Sequence, residues 1–506
     1  MDLLIGEIFT NAARAVPDRM AAAMGDESLS FAELERTANR SARALIRLGT
    51  GRGDRVVAWT ATSLDVVPFF AAVAKAGAVF APANATLGID EGAEMVGSAR
   101  PSVLAVDEGR VEAGGKIASQ LGIPLLQLTG LAGHRSPPAG GAGQSLAELA
   151  GREDAGPVGC EGLTEQDTHV LFFTSGSTGQ SKGVILSHRV NFLRTHPGAQ
   201  LEPRGVMVCT YPLFHMGAWT IALMQWQGRD GVVFIDTADA PAICDAVRRH
   251  RAERINCIPA VWRRLLDYVG SPEGDVEALS SIRWADTGTS ATPPPLLHAI
   301  VDALPQARVR IFYGATESGV VASLEHADLF RKPHSCGVPG STADVRIDAN
   351  GELCVRGPLL ADGYLGNQHA TDGAFVDGWY RTGDMAEVDD DGYLTIVGRV
   401  RDVIRTGGET VSPSEVEEVL FEHPDIADVA VVGLPDVHWG EVVCAVIVPA
   451  GTEAPAVDEV RAHCAARLAS FKHPRRVAVV DAIPRTASTN QVQRRLIVER
   501  LLSEHD

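Results

Sequence analysis

The chain of 506 residues has little positive charge, no paired cysteines and no long apolar run, and each absence excludes a class of protein. Its 45 Lys and Arg face 64 Asp and Glu, for a net charge of −19. That balance argues against a surface built for nucleic acid or for an anionic membrane. It leaves room for a local nest of backbone N–H groups and one or two cations around phosphates. The eight cysteines, at 160, 209, 244, 257, 336, 354, 444 and 464, form no CxxC pair and no zinc-like cluster. They are expected to be reduced thiols packed as small hydrophobes. No apolar run reaches the roughly 18 residues of a membrane span. The longest candidate, Val66 to Val79, is broken by Pro68 and Lys75 and reads as a buried helix. The N-terminus, MDLLIGEIFTNAARAVPDRM, is acidic early and lacks the positive-then-apolar order of a signal peptide. A cytoplasmic location without membrane insertion is expected.

The length allows two to four domains at roughly 150 residues each. With 45% hydrophobic residues, a substantial core can form. Strand and helix patterns alternate through the first part. Leu29 to Leu48 reads as a helix capped by Ser30 with Glu33 three residues on. Arg55 to Thr60, Ala78 to Ala81 and Val103 to Val106 read as strands, with a helix over Asp65 to Ala76. That order predicts α/β architecture with parallel layers. Leu131 to Glu161, rich in Gly, Ala, Ser and Pro, reads as a surface excursion. Further strands are expected at 206–210, 232–235, 254–258, 281–285 and 309–313, and a helix at 240–250.

After about residue 340 short β segments alternate with turn signals, notably Asn350-Gly351 and Asp391-Gly392. We expect a large N-terminal domain over 1–400, containing a β subdomain at about 340–398. A small mobile α+β domain is expected over 401–506. Within it, helices are expected at 414–421 and 457–470, with strands at 427–434, 442–449 and 476–480.

The strongest local signal is TSGSTGQSKG, Thr174 to Gly183. It follows an apolar strand. Gly176, Gly179 and Gly183 allow tight turns with N–H groups facing inward. Thr174, Ser175, Ser177 and Thr178 add hydroxyls, and Lys182 adds a cation. Together they predict a phosphate nest. The loop is not GxxxxGK[ST], because Gly183 follows the lysine.

This loop resembles that of the adenylate-forming superfamily, which includes acyl-CoA synthetases, peptide-synthetase adenylation domains and beetle luciferases. Ser181 stands where that family usually has Pro. The resemblance continues in order through YPLFHMGA (211–218), YGATE (313–317), GELCVRGP (351–358), GWYRTGDMAEVDDDGYLTIVGR (378–399), RDVIRTGGETVSPSEVE (401–417) and IPRTAS (483–488). It implies that Thr174 to Lys182 handle ATP phosphates and that Tyr313 and Gly314 line the adenine. Thr316 would contact the phosphate region and Glu317 would be the carboxylate for Mg²⁺. Asp384 would bind both ribose hydroxyls, with Arg399 beside it. His215 or Phe214 would gate the acyl and thiol approach. Trp219, Gly288 and Thr289 would border the acyl pocket, though Trp219 alone reads equally well as core. Arg401 would be the hinge of a rotating small domain. Gly407, Gly408 and Glu409 would form the strand along which a pantetheine arm passes. Lys472, with Arg475 nearby, would meet a CoA phosphate or be a solvated basic turn.

One residue of the family pattern is missing. The tail motif normally carries a lysine that meets the acid carboxylate and the α-phosphate. Here IPRTASTNQVQRR places Asn490 or Gln491 there, and no lysine follows Lys472. A neutral amide supplies no full charge, and losing one preorganised donor typically costs roughly 10²–10³ in rate. The resemblance implies that this lysine is remote in the thioester-forming arrangement, so that step would not need it. The expected activity is therefore transfer of an acyl group from an acyl-adenylate to CoA, releasing AMP, with adenylation weak or lost. A separate adenylating enzyme would supply the acyl-adenylate. The alternatives are a complete ligase using ATP, Mg²⁺, CoA and a small carboxylic acid, a loader of a carrier protein, and a non-catalytic adenylate-binding protein. The oligomeric state, homodimer included, stays open.

Overall fold

The computed structural model describes residues 2–136, 143–174, 182–196, 205–465, 467–486 and 491–503. Two large sheets dominate the first 340 residues. The nine-stranded sheet runs, edge to edge, through 338–339, 319–324, 308–315, 284–288, 254–256, 207–209, 232–234, 20–24 and 27–30. Its six central strands are parallel, from 308–315 across to 20–24. The eight-stranded sheet runs through 363–364, 182–187, 168–174, 79–83, 55–59, 103–106, 125–127 and 144–145. Strand 168–174 pairs antiparallel with 182–187, and these two strands flank the phosphate-loop motif.

The main core lies between these sheets. It joins Ala22, Cys209 and Phe234 of one sheet to Val56, Phe80 and Phe172 of the other. Every residue of the helix Val66–Lys75 is buried there, which explains its lack of a polar face. Lys75 tolerates burial because its ammonium donates to Glu35 and Thr10 at 2.9 and 2.8 Å. Ser30 and Glu33 form a reciprocal capping box on the helix Phe31–Arg47.

Five further strands, between 344 and 399, make the β subdomain. The residues beyond 401 form a separate five-stranded sheet, 409–411, 404–406, 440–449 and 426–436 in order, with 476–479 beside 440–449. Helix Pro413–Leu420 meets the β subdomain, where Ser414 Oγ donates to the Val397 carbonyl at 3.0 Å. His334 and Glu418 pair at 2.7 Å nearby.

Three local expectations need correction. The 131–161 stretch is not bare surface: Gln144–Ser145 adds a strand to a sheet, and Leu131, Leu146 and Ala150 are buried. Its short helix packs on Phe31–Arg47, a contact with no local sequence signal. The strand expected at 281–285 lies at Trp284–Gly288, because Ser281 is spent bonding the Ala252 carbonyl at 2.7 Å. The helix expected over 457–470 is described only over Val457–Ala465, and Ser470–Lys472 forms its own 3₁₀ turn.

His169 and His188 lie side by side near the base of the two strands flanking the phosphate-loop motif, their rings tilted by 43° with centroids 4.9 Å apart. The Ile5 N–H donates to His188 Nδ1 at 3.2 Å, and neither Nε2 has a partner among the described residues. Burial lowers His188 to about 4 and pushes His169 well below the usual range. Both are neutral in the folded chain at pH 7, whereas the unfolded chain protonates them near 6.5. Stability from this pair is therefore full above about 6.5 and is lost as pH falls. For His188 alone the loss by pH 4 is about 3 kcal/mol. Urea midpoints measured across this range should fall less steeply for His188→Asn, which keeps an acceptor but cannot titrate.

Candidate active site

Ligands in parallel α/β sheets bind at the carboxyl ends of the strands. In the nine-stranded sheet those ends carry Cys209, Asn256, Gly288 and the turn after Ala315, with Tyr211 and Thr289 just beyond. Gly288 is required by close packing: a Cβ there would lie 2.4 Å from the Phe312 carbonyl oxygen. Gly314 is equally constrained, since its Cβ would sit 2.2 Å from the Gly319 oxygen. Thr289 holds φ +73°, strained for a β-branched residue.

Asp384, Tyr313 and Arg399 converge. Arg399 Nε meets Asp384 Oδ1 at 2.7 Å, and the Tyr313 hydroxyl donates to Oδ2 at 2.5 Å. Asp384 and Arg399 face each other in the ladder between 379–388 and 394–399, which presets their pairing. Asp384 is only 5% exposed. Burial raises its pKa, opposed by Arg399 and Tyr313. Burial beside this carboxylate pushes the Tyr313 phenol well above its ordinary value. The result is a fixed carboxylate acceptor with a cation on one side, an arrangement that suits a vicinal diol.

Glu317 is buried, and the Tyr364 hydroxyl donates to its Oε1 at 2.9 Å. Lys182 lies over the same tyrosine ring, its Nζ 4.8 Å from the centroid. Thr174 and Lys182 are ladder partners at the ends of the two strands flanking the phosphate-loop motif. Ser175, Gly176, Ser177, Thr178 and Gly179 lie outside the described residues. Mg²⁺ usually takes one or two carboxylates and completes its shell with water and phosphate oxygens. Glu317, with Oε2 not engaged by Tyr364, fits that demand.

The motifs give no hint of Arg194. Its guanidinium donates to the carbonyls of Leu359, Thr316 and Glu317 at 2.7, 2.8 and 2.8 Å. Burial lowers it only to about 10, so it stays cationic at neutral pH. It holds the Thr316–Glu317 backbone against the segment leading to Tyr364. Arg194→Lys cannot span three carbonyls from one ammonium. The substitution should cut kcat for any reaction using Glu317 by at least about tenfold and lower the melting temperature, both measurable on one preparation.

His215 caps the helix Met216–Gln227, accepting the Gly217 N–H on Nδ1 at 3.0 Å. Its ring stacks on Tyr211 at 5.4 Å. Burial lowers it to about 4, so it is a neutral aromatic plate rather than a cation. Phe214 beside it is half-buried. Trp219 is a core residue instead of a pocket wall. It is 1% exposed, stacks on Phe70 at 4.0 Å, and donates Nε1–H to the Leu213 carbonyl at 2.6 Å.

In the C-terminal part, Arg401 is exposed and lies 3.6 Å from Asp402. Gly407 and Gly408 form a turn with φ +59° and +85°. Gly408 faces open space, whereas a Cβ on Gly407 would strike Trp439 at 2.6 Å. Trp439 is 43% exposed and carries Arg475 over its ring at 4.0 Å. This flat cationic platform beside the glycine turn was not visible in the motifs. Lys472 is not a free cation: it pairs with Glu415.

In the tail, Arg485 and Val492 form an antiparallel bridge, and the Thr486 N–H donates to the Gln491 carbonyl at 2.8 Å. Asn490 lies outside the described residues. The tail arginines are committed elsewhere. Arg494 grips Glu417 at 2.6 and 2.7 Å, Arg485 pairs with Asp428 at 2.8 Å, and Arg495 pairs with Glu499 at 2.7 Å.

Residues 9–365 match the family model described as AMP-binding enzyme, and 415–490 match the AMP-binding enzyme C-terminal domain. The chain belongs to the AMP-binding enzymes, in the acyl-CoA ligase family. This ligase is 32% identical over 494 residues to a feruloyl-CoA synthase of Amycolatopsis sp, covering 94% of this chain and 95% of that one. It is also 32% identical to an indoleacetate–CoA ligase of Aromatoleum aromaticum, covering 93% of each. Its fold superposes on ATP-bound MatB from Rhodopseudomonas palustris with TM-score 0.88 and 26% identity, covering 100% of both chains. No helix among the described residues is long and apolar enough to cross a membrane.

Proposed function

We propose that this ligase carries out both half-reactions of acid–thiol ligation. A small carboxylic acid attacks the α-phosphorus of ATP, releasing pyrophosphate and forming an acyl-adenylate. The thiol of CoA then attacks the acyl carbon and AMP leaves. The observation that carries this reading is the Asp384–Arg399–Tyr313 cluster standing with Glu317 and Lys182 in a chain matched along its length by CoA ligases. Asp384 and Arg399 would take the ribose, and Glu317 would take Mg²⁺. Thr174, Lys182 and the loop 175–179 would hold the phosphates, with Thr316 beside them. Tyr313 and Gly314 would line the base. Rotation about Arg401 would bring the Gly407–Gly408 turn and the Trp439–Arg475 platform to the CoA arm. Thr289 and Gly288 would border the acyl group, with Phe214 and His215 at its mouth.

A second reading keeps only thioester formation, and the tail favours it. No lysine follows Lys472, and Arg485, Arg494 and Arg495 each hold an acidic partner. In that case a partner enzyme would supply the acyl-adenylate. Two assays separate the readings. Acid-dependent exchange of pyrophosphate into ATP supports the complete ligase. Absence of exchange for every acid that works as a synthetic adenylate with CoA supports the second reading. AMP or adenylate binding without any thioester would leave only a binding protein.

A further inference from the structure

Asn256 ends a central strand of the nine-stranded sheet, between Cys209 and Asp286 in register. A side chain there would ordinarily be enclosed, yet Asn256 is only half-buried. It stands with Tyr211 and Thr289 on the edge described above. The Tyr211 hydroxyl donates to Asn256 Oδ1 at 3.1 Å and lies 3.4 Å from Thr289 Oγ1. Tyr211 is buried and stacked on His215, so this hydrogen bond is held rigidly. With Oδ1 committed, the amide nitrogen keeps two N–H donors that have no partner among the described residues. Beside it, Cys209 and Cys257 are buried and uncharged, their thiols pushed up to about 12. The neighbouring cation is spent: Arg310 grips Asp286 at 2.9 and 3.0 Å.

We infer that Asn256 is a specificity-determining residue, donating from its amide to an uncharged acceptor oxygen on the acyl part of the substrate. The substrate class is then a carboxylic acid bearing an ether, ketone or amide oxygen away from its carboxyl group. A second carboxylate is disfavoured, because it would meet Asp286 with no uncommitted cation opposite it among the described residues. An all-hydrocarbon acid would leave both donors desolvated and unpaired, which costs transition-state binding. This inference rests on the acid–thiol ligase reading and concerns the same crevice.

The test uses synthetic acyl-adenylates with CoA, so it does not depend on the tail lysine. Benzoic, phenylacetic, cinnamic and hexanoic frames are each made as near-isosteric pairs, methoxy against ethyl and acetyl against isopropenyl. The acceptor-bearing member should lead by about tenfold in kcat/KM in at least one frame. In Asn256→Leu that lead should shrink to within about twofold, with the hydrocarbon member retained or improved. Asn256→Asp should move the preference toward a hydroxyl-bearing analogue, and Tyr211→Phe should weaken it by freeing the amide. These two variants keep the test decisive if Asn256→Leu fails to fold. Turnover with no acceptor preference, or a preference unchanged in the folded Asn256 variant, overturns the assignment while leaving the ligase intact. Failure of every adenylate to give a thioester would instead bring down the ligase reading, and this assignment with it.

Discussion

Asp384→Ala should reduce thioester formation by about 10²–10³-fold from either starting point, acid plus ATP or ready-made acyl-adenylate. The carboxylate is 5% exposed and already oriented by Arg399 at 2.7 Å and Tyr313 at 2.5 Å. A ribose diol bound there would gain two charge-assisted hydrogen bonds, each worth about 1.5–3 kcal/mol. Removing both acceptors costs about 3–4 kcal/mol, the low end of that sum, which converts to the stated range. The loss should appear as weaker AMP binding in titration calorimetry. The fold should survive, because Arg399 is 41% exposed and can turn to water. Unchanged AMP affinity in the folded variant would remove Asp384 from the nucleotide site.

A lysine restored to the tail should have the opposite sign and a one-sided effect. Of Asn490→Lys and Gln491→Lys, the variant in correct register should raise acid-dependent pyrophosphate exchange by about 10²–10³-fold. Thioester formation from acyl-adenylate should change by less than about threefold, since its charge develops on the departing AMP after rotation about Arg401 would have carried the tail away. A preorganised ammonium at the α-phosphate lowers the barrier only where negative charge accumulates. The paired arginines make this test clean. Arg494 would have to abandon the buried Glu417, whose two oxygens it holds at 2.6 and 2.7 Å. Breaking a buried pair is costly, about 3–5 kcal/mol. If neither restored lysine changes exchange, and exchange is already fast, another group supplies the charge and the tail is irrelevant to it.

Sequence patterns located much of the site because many of its residues fall at strand ends and turns, where local chemistry is distinctive. The phosphate-loop motif around Thr174 and Lys182, the YGATE segment and the Asp384–Arg399 ladder pair all lie in runs that read the same in one dimension. Arg194 carries no local signal because it sits in the short helix His188–Thr195 and bonds carbonyls more than 120 residues away. Trp219 reads equally as pocket or core in one dimension, and Phe70 stacked on it makes it core. Asn256 is unremarkable in the run RINCIPA; only the hydroxyl of Tyr211, 45 residues earlier, shows which end of its amide is uncommitted.

The order of residues alone determined the parallel α/β architecture, the family and the absence of a tail lysine. Those properties depend on periodicity, turn chemistry and residue identity, all of which are local. Tertiary structure decided which charges are available. Lys472 is neutralised by Glu415, Arg310 by Asp286 and Arg494 by Glu417, across separations of 57, 24 and 77 residues. Electrostatic pairing depends on distance in space, and distance along the chain does not report it.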